Sequence, residues 1–175
     1  MPLPFETFAA TLRYEQLPEA LLWTLRRSFT DTMGTAAVAS TTHMADVARR
    51  SALALFGAGN AGAARILLHG GSVSPVGAAM AGAFTIDAID AHDTTSPCKG
   101  HAGSAVFPAL LALADTLDRP VKGAEFAIWL SIAYEVSYRA GLAQHATCPD
   151  YHTSGSWTST GIATAIARAL DLTET

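Results

Sequence analysis

The sequence predicts an all-α protein, a multi-helix bundle with buried helices rich in small residues and one short strand or extended segment near residues 64–69. Two observations carry this prediction. Apolar side chains recur at steps of three and four residues in several long segments, which is the period of an amphipathic helix. Serine, threonine or proline stands at the start of some of these segments, where such residues favour helix initiation.

The first half of the chain contains three predicted helices and the extended segment. Residues 19–38 carry the helical period behind Pro18, and residues 41–59 repeat it with Thr41 or Thr42 as the cap. The stretch ARILLHGG, which begins at residue 64, is short, partly β-branched and closed by glycines, which favours a strand. Residues 74–93 follow a Ser-Pro start and are rich in alanine and glycine. Because a helical glycine costs about 1 kcal/mol relative to alanine, we expect close helix packing there.

The second half predicts three more helices, over residues 104–120, 122–144 and 154–172. The middle one is apolar on nearly all sides, which indicates burial against more than one neighbour. On it, Glu135 and Arg139 are one turn apart and are expected to form an ion pair. Trp23 and Trp129 are expected in the core.

Length and composition indicate one domain, residues 1–175, that contacts another chain. Half of the residues are hydrophobic and only 15% are charged, so apolar surface is expected to remain outside. The sequence thus favours a homo-oligomer or a complementary chain. The last residues, LTET, resemble the start of a further helix, which favours one piece of a larger protein.

Charge and hydropathy argue against nucleic-acid and membrane partners. The net charge is −4 and the basic residues form no stripe, so the electrostatic basis for nucleic-acid binding is missing. No apolar run reaches the roughly 20 residues of a membrane helix, and the N-terminus lacks the pattern of a signal peptide. Cys98 and Cys148 fit no disulfide framework or metal motif. We therefore expect a soluble, cytoplasmic protein with reduced thiols.

A polar cluster, IDAIDAHDTTSPCKGHAGSA at residues 86–105, is the candidate functional site. It combines carboxylates with imidazoles that titrate near neutral pH, hydroxyl groups and a lysine, as proton transfer beside a carboxylate substrate requires. A polar loop with capping residues between two helices explains the same composition. If the preceding helix continues past Asp87, Asp87 and Asp90 share one face. Cys98 beside Lys99 suggests a lowered thiol pKa, although no base at a fixed spacing supports a nucleophile.

The order of residues in this cluster resembles the signature of the MmgE/PrpD family. Asp90, Asp93 and Thr94 fit the family's Asp-x-Asp-Asp-Thr-like stretch, and His101 opens the part that fits its His-Pro-Ser-Gly-like stretch. LRRSFTDTMGTAAVAS, AYEVSYRAG and YHTSGSWTSTGIATAIARALDL are similar to further family segments in the same order. The resemblance covers nearly the whole chain. At His92 the family commonly has an aromatic residue, and this departure leaves the substrate open.

The resemblance implies a cofactor-independent lyase or isomerase that acts on a small di- or tricarboxylate, without a metal. Members include 2-methylcitrate dehydratase, cis-aconitate decarboxylase and iminodisuccinate epimerase, so dehydration, decarboxylation and epimerisation all remain open. Asp90 is implied to orient or move a proton, Thr94 to donate to a substrate oxygen, and His101 to act as general acid or base. His152 is implied to line the same pocket.

Two further residues are expected to contact the substrate. Lys99 either binds a substrate carboxylate or forms an ion pair with Asp90 and Asp93, and Asp93 is the second substrate-binding candidate. The resemblance also implies that residues 1–175 are the first part of the helical domain of a longer enzyme whose α/β domain is absent here. The alternatives are a non-catalytic oligomerisation module derived from the family and an unrelated helical binding module.

Overall fold

The structure, a computed structural model, describes residues 4–148, 150 and 155–172. Over these residues the chain forms seven α-helices, three 3₁₀ turns and one short two-stranded hairpin. The helices are α1 (Phe5–Thr11), α2 (Glu19–Ala39), α3 (His43–Leu55), α4 (Pro75–Asp87), α5 (Gly103–Thr116), α6 (Gly123–Thr147) and α7 (Thr158–Ala169). The 3₁₀ turns span Tyr14–Gln16, Gly59–Ala61 and Ser96–Cys98.

The all-α prediction is confirmed, together with its short strand. Strand β1 (Ala64–Arg65) pairs antiparallel with β2 (Ser72–Val73), and Ala64 faces Val73 in the register. The strand is shorter than the segment 64–69 suggested, because the chain turns after Ile66, where the His69 amide donates to the Ile66 carbonyl at 3.0 Å. Helix α1 was not predicted from the sequence, since its seven residues are too short for a clear period.

Helix starts follow the predicted capping residues. The Thr42 hydroxyl accepts a hydrogen bond from the Ala45 amide at 3.2 Å, which caps α3. The Ser74 hydroxyl accepts from the Gly77 amide at 3.2 Å in the same way, which caps α4. Each hydroxyl satisfies one of the amides that a helix N-terminus leaves without an intrahelical partner.

Helix α4 packs through its small residues, as the sequence predicted. A Cβ at Gly82 would lie 2.6 Å from Pro108 Cβ on α5, closer than two carbon atoms can approach. A Cβ at Gly77 would collide with the Phe56 side chain. These contacts bring α4 close enough to α5 to bury Ala78 and Ala81, and they offset the intrinsic cost of helical glycine.

The main core lies between α2, α5, α6 and α7, and a smaller one lies under α4 and the hairpin. Phe107, Leu110 and Ile132 are fully buried in the main core. Trp129 is buried with them, as predicted, and Glu135 and Arg139 form the predicted ion pair at 2.7 Å. The largest buried side chain of the smaller core is Ile66.

One core prediction was wrong. Trp23 is 64% exposed, because it lies on the face of α2 that points away from the bundle. The periodicity places it beside buried positions, but it falls outside the stripe that Leu25 and Thr32 form. In the described part of the chain, no helix has both the length and the apolarity to cross a lipid bilayer.

An ion pair joins strand β1 to α5. The Arg65 guanidinium donates to both carboxylate oxygens of Asp115, and the Arg65 amide donates to Oδ2 at 2.8 Å. These donors, chiefly the guanidinium, hold the pKa of Asp115 below its usual value of 3.8, although partial burial opposes them. A carboxyl group with a lowered pKa in the folded state stabilises the fold above its unfolded-state pKa, and this stabilisation is lost as the pH falls through the folded-state pKa.

Asp115→Asn is therefore expected to lower the free energy of unfolding by about 1 kcal/mol at pH 7, because it weakens a charge-assisted hydrogen bond to the Arg65 amide. The loss should shrink as the pH falls below about 4. Urea unfolding across this pH range measures it, with the exposed Asp118→Asn as the control. A destabilisation by Asp115→Asn that stays constant with pH would contradict this assignment.

Candidate functional site

The polar cluster forms a compact loop between the end of α4 and the start of α5. Helix α4 ends at Asp87, so Asp87 and Asp90 do not share a helix face, and Asp90 takes a left-handed conformation with φ 48°. Aspartate tolerates this region better than most residues. Further along, the Thr95 amide donates to the Gly100 carbonyl at 3.0 Å, which closes the loop on itself.

The Asp93 carboxylate fastens this loop to two helices. It accepts from the Gly103 amide at the start of α5, at 3.0 Å, and from the Tyr134 hydroxyl of α6, also at 3.0 Å. Gly103 is required here, because a Cβ would collide with the Asp93 carboxylate. From the other side, the Thr35 hydroxyl of α2 donates to the Ala91 carbonyl at 3.3 Å. Helices α2, α5 and α6 thus fix the position of the loop.

Two imidazoles, one of them buried, and one exposed carboxylate meet in the loop. His101 Nε2 lies 3.3 Å from Asp90 Oδ1, and the ring centroids of His92 and His101 are 4.3 Å apart. His101 Nδ1 lies 2.6 Å from the Asp93 carbonyl oxygen. Since a carbonyl can only accept, the contact assigns the proton of a neutral His101 ring to Nδ1 and leaves the lone pair on Nε2, facing Asp90.

Burial and charge shift several ionisation equilibria around the loop. Burial is the main cause that lowers the pKa of the His92 imidazole, and the nearby charge of His101 lowers it further. Asp87 and the other nearby carboxylates oppose this shift. Burial and then the Asp93 charge raise the pKa of Tyr134 far above its usual value, so its hydroxyl stays protonated and donates to Asp93. The neutral state of both groups is therefore favoured in the fold.

Five of the six predicted site residues lie together in the loop, and the sixth, His152, lies elsewhere in the sequence. Asp90, Asp93, Thr94, Lys99 and His101 all belong to the loop; Thr94 and Lys99 are exposed, and Lys99 has a left-handed backbone. The contacts observed for the Asp93 carboxylate are internal. A role of Asp93 in substrate binding stays a prediction.

His152 lies outside the described residues, so its predicted place beside the loop stays a prediction. The sequence marked His92 only as a departure from the family pattern, and it did not link Tyr134 to the loop. The Tyr-Glu-Val motif on α6 was the available signal for Tyr134. The side chain of His92 is fully buried, which no local pattern indicates.

A hollow of about 310 Å³ opens beside the loop, between α4, α5 and the start of α7. Small-molecule sites have volumes of roughly 300–1,000 Å³, so the hollow is large enough for a small metabolite. Its lining combines apolar and polar side chains, including Phe84, Asp87, His101, Ser104 and Thr158. His101 therefore connects the cluster to a cavity.

A larger hollow of about 600 Å³ lies on another face, and its charges are already paired. Arg65 in its wall binds Asp115, and Arg119 binds Glu125 at 2.6 Å. An anionic ligand there would compete with these carboxylates for the two guanidinium groups. The hollow beside His101 is the better candidate for acid–base chemistry.

The suggestion of a lowered pKa for the Cys98 thiol was wrong. The thiol is buried, and burial raises its pKa instead of lowering it. Its sulfur lies 3.5 Å from the Tyr138 carbonyl oxygen, which accepts from a thiol and not from a thiolate. Cys98 and Cys148 are both free, as expected.

Comparison with known proteins identifies one family. The sequence model of the MmgE/PrpD N-terminal domain matches residues 5–175, which is nearly the whole chain. No curated protein matches the sequence.

Proposed function

The chain belongs to the MmgE/PrpD family, and on this premise we propose that it is the helical part of a cofactor-independent lyase or isomerase. Its substrate is a small di- or tricarboxylate, and the reaction moves a proton at the carbon next to a carboxylate. The observation that carries this proposal is the oriented His101 imidazole, which lies 3.3 Å from Asp90 and lines the 310 Å³ hollow.

His101 is the proposed general base. The Asp93 carbonyl holds the Nδ1 proton, so the Nε2 lone pair, which lies beside Asp90, is the group proposed to accept a proton from the substrate carbon. The positive charge that forms on the ring is then stabilised by the Asp90 carboxylate beside it. Asp93 acts on the reaction through His101 and is therefore a positioning residue.

The remaining roles concern the substrate's charge and leaving group. Thr94 is proposed to donate to a substrate oxygen, and Lys99 to bind a carboxylate. His152 is proposed to supply the second proton-transfer group. In dehydration a proton goes to the departing hydroxyl, in decarboxylation a proton replaces carbon dioxide, and in epimerisation the proton returns on the opposite face of the carbon.

Few cations are present for a polycarboxylate, since the chain has eleven lysines and arginines against fifteen acids. A complementary domain or chain is proposed to supply further cations, because electrostatic stabilisation of the developing charge is usually the largest catalytic contribution.

Incorporation of solvent deuterium into the substrate or the product tests the proposal. Epimerisation and reversible dehydration exchange a C–H of the substrate, and decarboxylation places a deuteron on the carbon that loses carbon dioxide. We expect the protein, with its complementary part supplied, to incorporate deuterium with 2-methylcitrate, cis-aconitate or iminodisuccinate in D₂O. His101→Gln should reduce the rate by about 10²–10⁴-fold, the usual contribution of a general base. Asp90→Asn should reduce it by about 10²–10³-fold, the usual contribution of one electrostatic stabiliser.

His43→Gln and Asp118→Asn are the matched controls, since both residues are exposed and lie outside the loop. Full exchange in the His101→Gln and Asp90→Asn proteins would contradict the site assignment. An absence of exchange with all three acids in the wild-type protein would contradict the catalytic function itself.

The second candidate is a non-catalytic oligomerisation module, and exposed apolar side chains favour it. Trp23 on α2 is 64% exposed and Leu55 at the end of α3 is 75% exposed. Such side chains are typical of a surface that another chain covers. This candidate predicts an oligomer in sedimentation experiments and an unchanged melting temperature with each of the three acids, whereas the catalytic proposal predicts stabilisation by at least one acid.

A further inference from the structure

The side chains of Asp90, His92 and His101 each place one potential ligand atom within 4.8 Å of the other two. We propose that these three residues bind a divalent transition-metal ion of the Zn²⁺ class. The binding itself requires no part of the proposed catalysis and can be measured without substrate.

The distances suit a tetrahedral ion. Zn²⁺ binds nitrogen and oxygen ligands at about 2.0–2.2 Å, which places two ligand atoms of a tetrahedron about 3.4 Å apart. His101 Nε2 and Asp90 Oδ1 are already 3.3 Å apart. The Asp90 side chain is 79% exposed, so it can adjust toward the third ligand without disturbing the core.

His92 is the observation that points independently to a ligand. Its side chain is fully buried, yet neither ring nitrogen has a hydrogen-bond partner in the described part of the chain. Asp87 Oδ1 lies 3.3 Å from His92 Nε2, but the two groups are not aligned as a hydrogen bond. A buried polar group without a partner lowers the stability of a fold. A metal ion would give one of these nitrogens a partner.

The environment of His101 also fits a metal ligand. Ligating histidines usually donate their second ring N–H to a carbonyl or carboxylate, which fixes the orientation of the ring. The contact between His101 Nδ1 and the Asp93 carbonyl oxygen at 2.6 Å has this form. With the proton on Nδ1, the Nε2 atom of His101 carries a lone pair and lies 3.3 Å from the anionic Oδ1 of Asp90. Two such electron-rich atoms attract each other only through a proton or a cation between them.

The ligand types favour a particular class of ion. Imidazole suits zinc, copper, nickel and iron, whereas magnesium and calcium prefer oxygen ligands. Both imidazoles must be neutral to bind, and burial of His92 favours that state. Three protein ligands leave a fourth position for water.

One consequence rests on the proposed function. The ion would occupy the same Nε2 lone pair that the proton transfer uses, so Zn²⁺ is expected to inhibit the reaction and not to support it. The binding experiment is independent of this consequence, so a failure of metal binding and a failure of catalysis are separate results.

Titration of the chelator-treated chain with Zn²⁺ by calorimetry, and with Co²⁺ by visible absorption, tests the inference. We expect one ion per chain and the intense absorption of a tetrahedral Co²⁺ site. Asp90→Asn and His92→Leu should each weaken binding at least tenfold. Leucine removes the unpartnered imidazole from a buried position, and Asp90 is exposed, so at least one of the two proteins is expected to fold.

His43→Gln, which changes an exposed histidine of α3, is the control and should bind as the wild type does. Wild-type binding that is absent, or that survives unchanged in the folded Asp90→Asn and His92→Leu proteins, would overturn the inference.

Discussion

Replacing Gly161 by alanine is expected to lower the free energy of unfolding by about 2 kcal/mol. Gly161 lies on α7 where this helix crosses α6, and a Cβ there would collide with the Ala133 carbonyl oxygen and the Ser137 hydroxyl. The carbonyl belongs to the backbone of a buried helix and cannot move cheaply. Overpacking of this kind costs typically 1–3 kcal/mol or more, whereas the gain in helix propensity is only about 1 kcal/mol.

Gly34→Ala provides a matched control with the opposite expected sign. Gly34 is also helical, in the middle of α2, but a Cβ there would contact nothing within 4 Å. The same substitution should therefore stabilise the protein by up to about 1 kcal/mol. Chemical denaturation of both variants measures the two effects. Equal changes at Gly34 and Gly161 would show that α6 and α7 are not in the close contact described.

The close approach of α6 and α7 matters for the site as well as for stability. The Ser137 hydroxyl of α6 donates to the Thr158 carbonyl at 3.3 Å, and Thr158 lines the hollow beside His101. A shift of α7 would thus move one wall of the cavity. Under the proposed function, Gly161→Ala is expected to weaken substrate binding in addition to lowering stability.

The helices could be predicted from the sequence because their signals are local. Thr42 and Ser74 cap α3 and α4, as the sequence indicated. The glycines of α4 predicted close helix packing, and Gly82 makes such a contact with Pro108 of α5. These features depend on residues a few positions apart or on a periodic pattern. Trp23 was misplaced because the same pattern cannot distinguish a face that packs on the bundle from a neighbouring face that does not.

The polar composition of residues 86–105 located the loop and the resemblance supported it, but its internal geometry could not be predicted. Nothing in the letters DAIDAHD stops the helical pattern at Asp87, and the left-handed conformation of Asp90 follows from how the loop packs. The burial of His92 and the bond from Tyr134 to Asp93 join residues on different elements. Such contacts depend on the tertiary arrangement of α2, α5 and α6, which local propensity does not specify.

The second large effect is expected at Asp93. Asp93→Ala removes the acceptor of both the Gly103 amide and the Tyr134 hydroxyl, and the amide lies at a buried residue. Hydrogen bonds to a charged group contribute about 1.5–3 kcal/mol each, and a buried donor left without a partner adds its desolvation cost. Because the two bonds share one carboxylate and are not additive, we expect a total loss of about 3 kcal/mol.

Two further substitutions separate the contributions. Asp93→Asn keeps an acceptor oxygen but loses the charge, and Tyr134→Phe removes only one donor, so each should cost about 1 kcal/mol. The Asp93 carbonyl also contacts His101 Nδ1, so loosening of the loop should change the tautomer of the His101 ring as well. Nitrogen chemical shifts of His101 report the tautomer, and in Asp93→Ala they should move toward a mixture of Nδ1–H and Nε2–H forms. Wild-type stability together with an unchanged tautomer in Asp93→Ala would mean that the carboxylate does not hold the loop in place.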